Sequence, residues 1–152
     1  PRLFKIVPWQ PDTLNFDIGG GRYDLGTEYL KDCHKVDNVI YDPYNRSRLH
    51  NEWTLSVVAK RPADTATVSN VLNIIEDLPT RLEILDVAKR CLKPGGYVYI
   101  TVYEGDGTGI GKVTKHNTYQ SNRKLESYLE EIQAIFPNAH IDKGRKIVAQ
   151  KE

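Results

Sequence analysis

The stretch that most constrains the fold is residues 14–24, an apolar run that ends in three consecutive glycines and continues into a helical pattern. Gly19, Gly20 and Gly21 have no Cβ atom, so their backbone can adopt positive φ angles and approach a bound molecule. Asp17 lies at the carboxyl end of the predicted strand, where an open α/β sheet presents its ligand site. Its carboxylate can accept from an ammonium group, while the N–H groups of the next helix suit a carboxylate. The pattern predicts a site for an amino acid.

A second apolar run, residues 36–41, ends in Asp42. In dinucleotide-binding folds an acid roughly 20 residues after the first accepts from the ribose hydroxyls. The dinucleotide fingerprint also requires a third glycine before the helix, and Tyr23 stands near that place. The spacing therefore favours a shorter adenosine ligand over a nicotinamide dinucleotide.

Four motifs together resemble class I S-adenosylmethionine-dependent methyltransferases. They are Asp17-x-Gly19-x-Gly21, Asp42, the segment 68–77 (VSNVLNIIED) and the segment 92–96 (LKPGG), and the match covers residues 14–102. A closer resemblance is to methyltransferase-like proteins found with DNA phosphorothioation systems and to their phage relatives. It depends on residues 41–46 (YDPYNR), residues 70–77 (NVLNIIED) and residues 114–120 (TKHNTYQ).

Strands that alternate with helices predict an α/β domain, and the resemblance implies a Rossmann-like three-layer sandwich with a mostly parallel sheet. The last two strands, residues 139–142 and 146–149, are predicted to form a C-terminal antiparallel hairpin across Lys143-Gly144-Arg145. The full methyltransferase plan has a further strand and helix after residue 60. Here the next strand pattern follows almost at once, so we predict a reduced fold in which one strand–helix unit is missing.

The predicted donor site lies at the carboxyl edge of this sheet. The resemblance implies that Asp17 and the glycine turn hold the methionine end of S-adenosylmethionine and that Asp42 holds the ribose. The adenine contact is open, because the missing unit removes the loop that supplies it in the class. The full set of predicted cofactor-binding residues is Asp17, Gly19, Gly20, Gly21, Asp42, Pro43, Tyr44, Ser69, Asn70 and Val71.

Residues 104–122 form a long polar segment rich in glycine, and loops of that length are usually functional. The segment is predicted to be a substrate-side loop because it follows the strand pattern of residues 97–103. Its cations are interleaved with an aromatic residue, an arrangement that can clamp phosphates and stack a base. The predicted acceptor-binding residues are Lys112, Lys115, His116 and Tyr119, and nucleic acid is the favoured acceptor.

No catalytic residue is assigned. The Asn-Pro-Pro-Tyr motif of amino-group nucleic-acid methylases is replaced by Ser69-Asn70-Val71-Leu72, and the Pro-Cys nucleophile of cytosine carbon methylases is missing. Two alternatives therefore stay open. One is a catalytically silent module that binds S-adenosylmethionine, and the other is a small nucleotide-binding enzyme of different chemistry.

Helical spacing predicts which residues face the core. In the helix of residues 24–34 these are Leu25, Tyr29, Leu30 and Cys33, and in the helix of residues 46–60 they are Leu49, Trp53, Val57 and Val58. Residues 68–72 are predicted to be the strand beside the first one. Pro8 and Pro11 interrupt the apolar run near the amino terminus, so residues 1–13 are predicted to be an edge segment or a packed arm.

With 152 residues, 39% hydrophobic and 27% charged, the chain fits one domain over residues 1–152. Its formal charge of +1 creates no strong overall field, so a nucleic-acid site must be a local patch. No apolar run reaches the roughly 20 residues that span a bilayer, and a cytoplasmic location is predicted. The two cysteines and four histidines form no metal-spaced cluster, so no metal site is predicted. The oligomeric state stays open.

Overall fold

The computed structural model describes residues 1–152 and contains a six-stranded sheet. In chain order its strands are β1 (Leu14–Ile18), β2 (Asp37–Tyr41), β3 (Ala63–Ser69), β4 (Leu92–Thr101), β7 (His140–Asp142) and β8 (Lys146–Gln150). They lie in the order β2-β1-β3-β4-β8-β7. The first four are parallel, and the last two form an antiparallel hairpin whose β8 pairs with β4. The predicted mostly parallel sheet with a C-terminal hairpin is confirmed.

Four helices connect or flank these strands: α1 (Leu25–His34), α2 (Arg48–Lys60), α3 (Leu78–Cys91) and α4 (Leu129–Gln133). A separate two-stranded hairpin, β5 (Lys112–Val113) and β6 (Tyr119–Gln120), lies within the loop after β4. Short 3-10 turns occupy Arg2–Lys5, Leu72–Ile74 and Leu125–Tyr128. Helix α3 packs on β1, β3 and β4 and contacts α2 and α4, so these helices cover one face of the sheet.

The main core lies between that face and α3. Alternation along β1 places Leu14, Phe16 and Ile18 in this core, each 1% exposed or less. Asn15 and Asp17 point to the opposite face, because successive side chains of a strand alternate. The sheet therefore has one apolar face and one face on which buried polar groups lie near the carboxyl edge.

The N-terminal arm and α1 cover the opposite face. Leu3 and Val7 pack with Tyr99 and Val148 over β4 and β8, and Phe4 packs with Leu30 of α1. Leu3 and Phe4 are 1% exposed or less. The arm is therefore a packed third layer of the sandwich and not an edge strand.

The chain passes from α2 directly into β3, and β3 pairs with β1. Strand β2 is consequently the outer strand on that side of the sheet. This topology agrees with the predicted loss of one strand–helix unit. An outer strand leaves backbone groups unpaired along its free edge.

Polar side chains of α2 occupy the carboxyl half of that edge. The backbone oxygen of Ile40 accepts from His50 Nε2 at 2.8 Å and from Thr54 Oγ1 at 2.7 Å. The side chain of Asn51 accepts from the Asp42 backbone nitrogen at 2.9 Å and donates to the Asp42 backbone oxygen at 3.0 Å. Helix α2 thus replaces the hydrogen bonds that a neighbouring strand would supply.

This edge pairing overturns part of the predicted inner face of α2. Leu49 is 79% exposed and Trp53 is 54% exposed, whereas Asn51 and Thr54 are buried. Of the predicted set, only Val58 is fully buried. Hydrophobic spacing was right for Val57 and Val58, which pack on the main core, and wrong for Leu49 and Trp53, because the first half of the helix packs on backbone polar groups. In α1 the prediction was also partly wrong, since Leu30 is buried while Leu25 and Cys33 are exposed.

Two predicted strand boundaries were also wrong. The strand beside β1 is residues 63–69 and not 68–72, and Leu72–Ile74 forms a 3-10 turn. The segment 92–96 (LKPGG) lies within β4, which therefore begins five residues before the predicted strand of residues 97–103. A register irregularity between Ala63 and Thr65 accommodates this segment. The pairing of β3 with β1, on which the site depends, is as predicted.

Candidate active site

A cavity of about 280 Å³ opens at the carboxyl edge of the sheet. Its walls come from the arm, β1 and the glycine turn, the first turn of α1, β2 and the end of β3. The lining residues are Pro1, Phe4, Asp17, Gly19, Gly20, Tyr23, Gly26, Ile40, Ser69 and Asn70. The structure thus brings together five of the predicted cofactor-binding residues. The arm's part in the wall was not predicted, because nothing in residues 1–13 indicates which face of the sheet they cover.

The glycine turn requires glycine for two reasons. Gly19 and Gly21 have φ angles of +72° and +84°, a region that other residues rarely adopt. A Cβ atom on Gly20 would collide with the Asp17 carboxylate, and a Cβ on Gly19 would lie 2.5 Å from Val71 Cγ2. The turn therefore folds tightly over Asp17 and Val71, which brings its backbone to the cavity wall.

Asp17 is the acidic group of the cavity. It is 5% exposed, and its Oδ1 accepts from the Thr67 hydroxyl at 2.8 Å. Its Oδ2 lies beneath Gly20 and accepts no hydrogen bond from the protein. Burial raises the pKa of Asp17 from 3.8 to about 7, against the hydrogen bond from Thr67, which favours the ionised form. One oxygen of a buried carboxylate is therefore left for a cationic partner.

Asp42 is buried and is fully engaged with the protein. Its Oδ2 accepts from the Gly21 backbone and the Asn45 side chain, both at 3.0 Å. Its Oδ1 accepts from the backbone nitrogens of Tyr44 at 3.0 Å and Asn45 at 3.1 Å. A carboxylate has about four acceptor positions, and four donors occupy them here. The predicted ribose contact therefore requires one of these donors to be exchanged.

Arg46 is a site residue that the sequence analysis did not single out. Its guanidinium donates to the backbone oxygens of Gly21 at 2.6 Å and Tyr23 at 3.1 Å, and it pairs with Asp24 at 2.8 Å. Together with Asp42, it ties the glycine turn to the loop after β2. Its position in the YDPYNR motif was the only available signal, and that motif does not indicate which backbone groups a guanidinium contacts.

Five predicted cofactor residues do not line the cavity: Gly21, Asp42, Pro43, Tyr44 and Val71. Pro43 and Tyr44 are exposed, and Tyr44 is 79% exposed in the turn that Asp42 stabilises. Val71 is buried and belongs to the main core, where it supports Gly19. The cavity therefore includes the glycine-turn half of the predicted donor site, and the β2 half lies outside it.

The four predicted acceptor residues lie on or beside the β5–β6 hairpin, and none lines the cavity. Lys115 and His116 are exposed at its tip, and Lys112 lies 3.8 Å from Asp106. The base of the hairpin contacts the turn after β3, where Asn73 Nδ2 donates to Gln120 Oε1 at 3.3 Å. The Asn73 Oδ1 atom is buried and has no hydrogen-bond partner.

No group of three or more His, Cys, Asp or Glu side chains is arranged to hold a metal ion. No helix is long and apolar enough to cross a membrane.

A family model described as "Methyltransferase domain" matches residues 8–144. The chain therefore belongs to this methyltransferase family. The match includes β1, the glycine turn and all later strands up to β7. No protein of curated function is significantly similar to the chain in sequence.

Solved methyltransferase structures share the fold. The 1,6-didemethyltoxoflavin-N1-methyltransferase of Burkholderia thailandensis, with bound 1,6-didemethyltoxoflavin and S-adenosylhomocysteine, has a TM-score of 0.63 and 18% identity over 93% of this chain and 72% of its own. A candidate O-methyltransferase from Nostoc punctiforme has a TM-score of 0.66 and 15% identity over 99% of this chain and 55% of its own. Human N-acetylserotonin methyltransferase, in complex with S-adenosylmethionine, has a TM-score of 0.61 and 18% identity over 91% of this chain and 47% of its own. The chain thus spans from about half to about seven-tenths of these proteins.

Proposed function

We propose that the chain binds S-adenosylmethionine at the carboxyl edge of the sheet and is a methyltransferase. The observation that supports this most strongly is the buried residue Asp17, whose Oδ2 accepts no hydrogen bond from the protein and lies beside a tight glycine turn. An ammonium group is its natural partner, and S-adenosylmethionine carries one on its amino acid end. Membership of a methyltransferase family supports the same assignment.

The methyl donor, when bound, supplies a methyl group already activated on a sulfonium. The protein's main task is then to hold the acceptor in line with it. In our proposal Asp17 binds the ammonium group, and the backbone of Gly19 and Gly20 forms the adjacent wall. Ser69 and Asn70 border the same cavity from the neighbouring strand. No side chain is assigned as a general base, because an activated donor does not require one.

We place the ribose beside Asp42. Of its four donors, the Asn45 side-chain amide is the one that can rotate away without moving the backbone. Its departure would free an acceptor position on Oδ2 while Gly21 stays bound. Pro43 and Tyr44 would then border the adenosine, as the resemblance implies, and Val71 would act only by supporting Gly19.

Calorimetry with S-adenosylhomocysteine tests the proposal directly. We expect this ligand to bind with measurable heat and NAD⁺ to give none, since Tyr23 stands near the third glycine of a dinucleotide site. The opposite preference would favour a nucleotide-binding enzyme of different chemistry. Binding without methylated product would identify a silent module. Methylated product is sought by mass spectrometry of DNA, RNA and protein, compared between cells that contain this protein and cells that lack it.

We propose that the β5–β6 hairpin takes part in acceptor binding and that the acceptor is a nucleic acid. The hairpin follows β4 and therefore emerges at the same edge as the cavity. Lys112, Lys115 and His116 give its exposed surface cationic or protonatable groups, and Tyr119 supplies an aromatic ring. The resemblance to proteins found with DNA phosphorothioation systems favours the same acceptor. That association and the cytoplasmic location stay predictions, as does the single domain over residues 1–152.

Replacing both Lys112 and Lys115 with alanine should weaken nucleic-acid binding and leave S-adenosylhomocysteine affinity unchanged. Each lost phosphate contact should reduce the slope of log affinity against log salt by about one. Fluorescence anisotropy with labelled DNA and RNA at several salt concentrations measures this slope. A double substitution of Lys60 and Lys143, two exposed lysines away from the hairpin, is the control. Equal slopes for the two double variants would reject a nucleic-acid role for the hairpin.

A further inference from the structure

A series of hydrogen-bonded polar side chains, some buried and some half-buried, runs across the face of the sheet beneath the cavity. Asn15 is completely buried, and its Nδ2 donates to Asn38 Oδ1 at 2.8 Å and to Thr67 Oγ1 at 2.9 Å. Its Oδ1 accepts from the Thr65 hydroxyl at 2.8 Å. Asn38 in turn donates to the Thr27 hydroxyl at 3.0 Å. This series of hydrogen bonds connects β3, β1, β2 and α1 and ends at Asp17.

The hydrogen bonds in this series have a defined direction. A hydroxyl has one hydrogen to donate, and an ionised carboxylate can only accept. The Thr67 hydrogen must therefore point to Asp17 Oδ1, where the oxygen–oxygen distance is 2.8 Å. The Thr67 oxygen then needs a donor of its own, which the Asn15 amide supplies. The carbonyl side of that amide is held by Thr65, so the amide is fixed in the orientation that supports the ionised carboxylate.

We propose that Asn15 and Thr67 are positioning residues that favour the ionised form of Asp17 and fix its carboxylate, with Oδ1 bound to the protein and Oδ2 turned to a cationic ligand group. The inference builds on the proposed function, because the cationic group it requires is the ammonium of the methyl donor. It goes beyond that function by assigning a role to two buried residues that touch neither donor nor acceptor. The buried hydrogen bonds among Asn15, Thr67 and Asp17 also have a cost, since losing one member leaves its buried partners unpaired.

Charged groups around Asp17 also affect the protonation equilibrium of its carboxylate. The amino group of Pro1 and the guanidinium of Arg46 favour its ionised form, whereas Asp42 and burial disfavour it. Removing the Thr67 hydroxyl takes away the largest stabilising contribution and leaves the burial penalty. The pKa of Asp17, which is raised to about 7 in the intact protein, should then rise further.

The test replaces Thr67 with valine, which has nearly the same shape but no hydroxyl. The carboxyl carbon of Asp17 in ¹³C-labelled free protein should titrate about one pH unit higher than in the original protein, since a hydrogen bond to a charged group is worth at least about that much. At pH 7 the ionised fraction of Asp17 would fall from about one half to about one tenth, so the affinity for S-adenosylhomocysteine should fall about five-fold, with most of it recovered at pH 9. A purely structural role would lower the affinity equally at both pH values.

Two matched variants complete the test. Thr67→Ser keeps the hydroxyl and should keep both the titration midpoint and the affinity. Thr54→Val removes the hydroxyl of another fully buried threonine, which donates to the Ile40 backbone oxygen and takes no part in this series of hydrogen bonds, so it should leave the midpoint unchanged. If Thr67→Val fails to fold, Thr67→Cys offers a thiol, a much weaker donor, and should also shift the midpoint upward.

An unchanged midpoint in Thr67→Val, or in Thr67→Cys if it replaces it, would overturn the proposal. An equal shift in Thr54→Val would also overturn it. The titration of the free protein needs no ligand, so it decides the role of Thr67 even if S-adenosylhomocysteine does not bind. A failure to bind in the original protein would instead reject the proposed function.

Discussion

Replacing Asp17 with asparagine should weaken S-adenosylhomocysteine binding by about ten- to a hundred-fold and leave the free protein at least as stable as before. A hydrogen bond to a charged group contributes about 1.5–3 kcal/mol, and the substitution removes the charge that the ligand ammonium meets. Asparagine keeps the size of the side chain and can still accept from Thr67. The loss should therefore appear in binding and not in folding.

The free energy of unfolding of the free protein should also depend on pH through Asp17. The pKa of Asp17 is raised from 3.8 to about 7 in the folded protein, so the folded state retains the proton at pH values where the unfolded state has lost it. The free energy of unfolding should consequently decline as the pH rises from about 4 to about 7. The Asp17→Asn variant lacks this decline and should be more stable than the original protein above pH 7.

Calorimetry at pH 8 and denaturant titrations at pH 5 and pH 8 measure the two effects. Asp86→Asn on the outer side of α3, where the carboxylate pairs with Arg90, is the matched control and should change neither quantity appreciably. If Asp17→Asn binds S-adenosylhomocysteine as tightly as the original protein does, the ammonium group of the ligand contacts a group other than Asp17.

Asn51→Ala should lower the free energy of unfolding by roughly 2–4 kcal/mol. The substitution removes the one side chain that satisfies both the N–H and the C=O of Asp42, and each buried group left unpaired costs about 1–3 kcal/mol. Because Asp42 in turn anchors Gly21 and the loop after β2, part of the loss should also reach the glycine turn.

Leu49→Ala, in the same helix, is the informative control. Leu49 is 79% exposed, so its truncation should change the free energy of unfolding by no more than about 0.5 kcal/mol. Urea unfolding followed by circular dichroism gives both values. A larger loss for Leu49→Ala than for Asn51→Ala would mean that α2 packs through its apolar face, as its sequence spacing suggested.

Much of the site could be predicted from local sequence. The glycine turn after β1, the acids at the ends of β1 and β2, and the alternation of strands with helices are all short-range patterns. They predicted an α/β sheet and located Asp17, Gly19, Gly20, Ser69 and Asn70, all of which line one cavity. The absence of a strand–helix unit was visible as well, because the chain is too short between α2 and β3 to contain one.

The part of the site around β2 could not be predicted in the same way. Asp42 looked like an acid free to bind a ribose, yet its two oxygens bind groups of Gly21, Tyr44 and Asn45. Two of these three residues are its near neighbours in sequence, but Gly21 reaches it only through the pairing of β1 with β2. Arg46 likewise gains its partners from the turn after β1.

The sequence by itself determined the class of fold, the carboxyl edge as the place of the site and the acidic group at its centre, since each follows from residues close together in the chain. Only the tertiary structure decided what completes that group. Thr67 reaches Asp17 from the neighbouring strand and joins it to Asn15, and the arm residue Phe4 lines the same cavity. Hydrogen-bond partners of a buried carboxylate depend on which strands become neighbours and on which face a segment packs, and these are long-range outcomes that no local pattern contains.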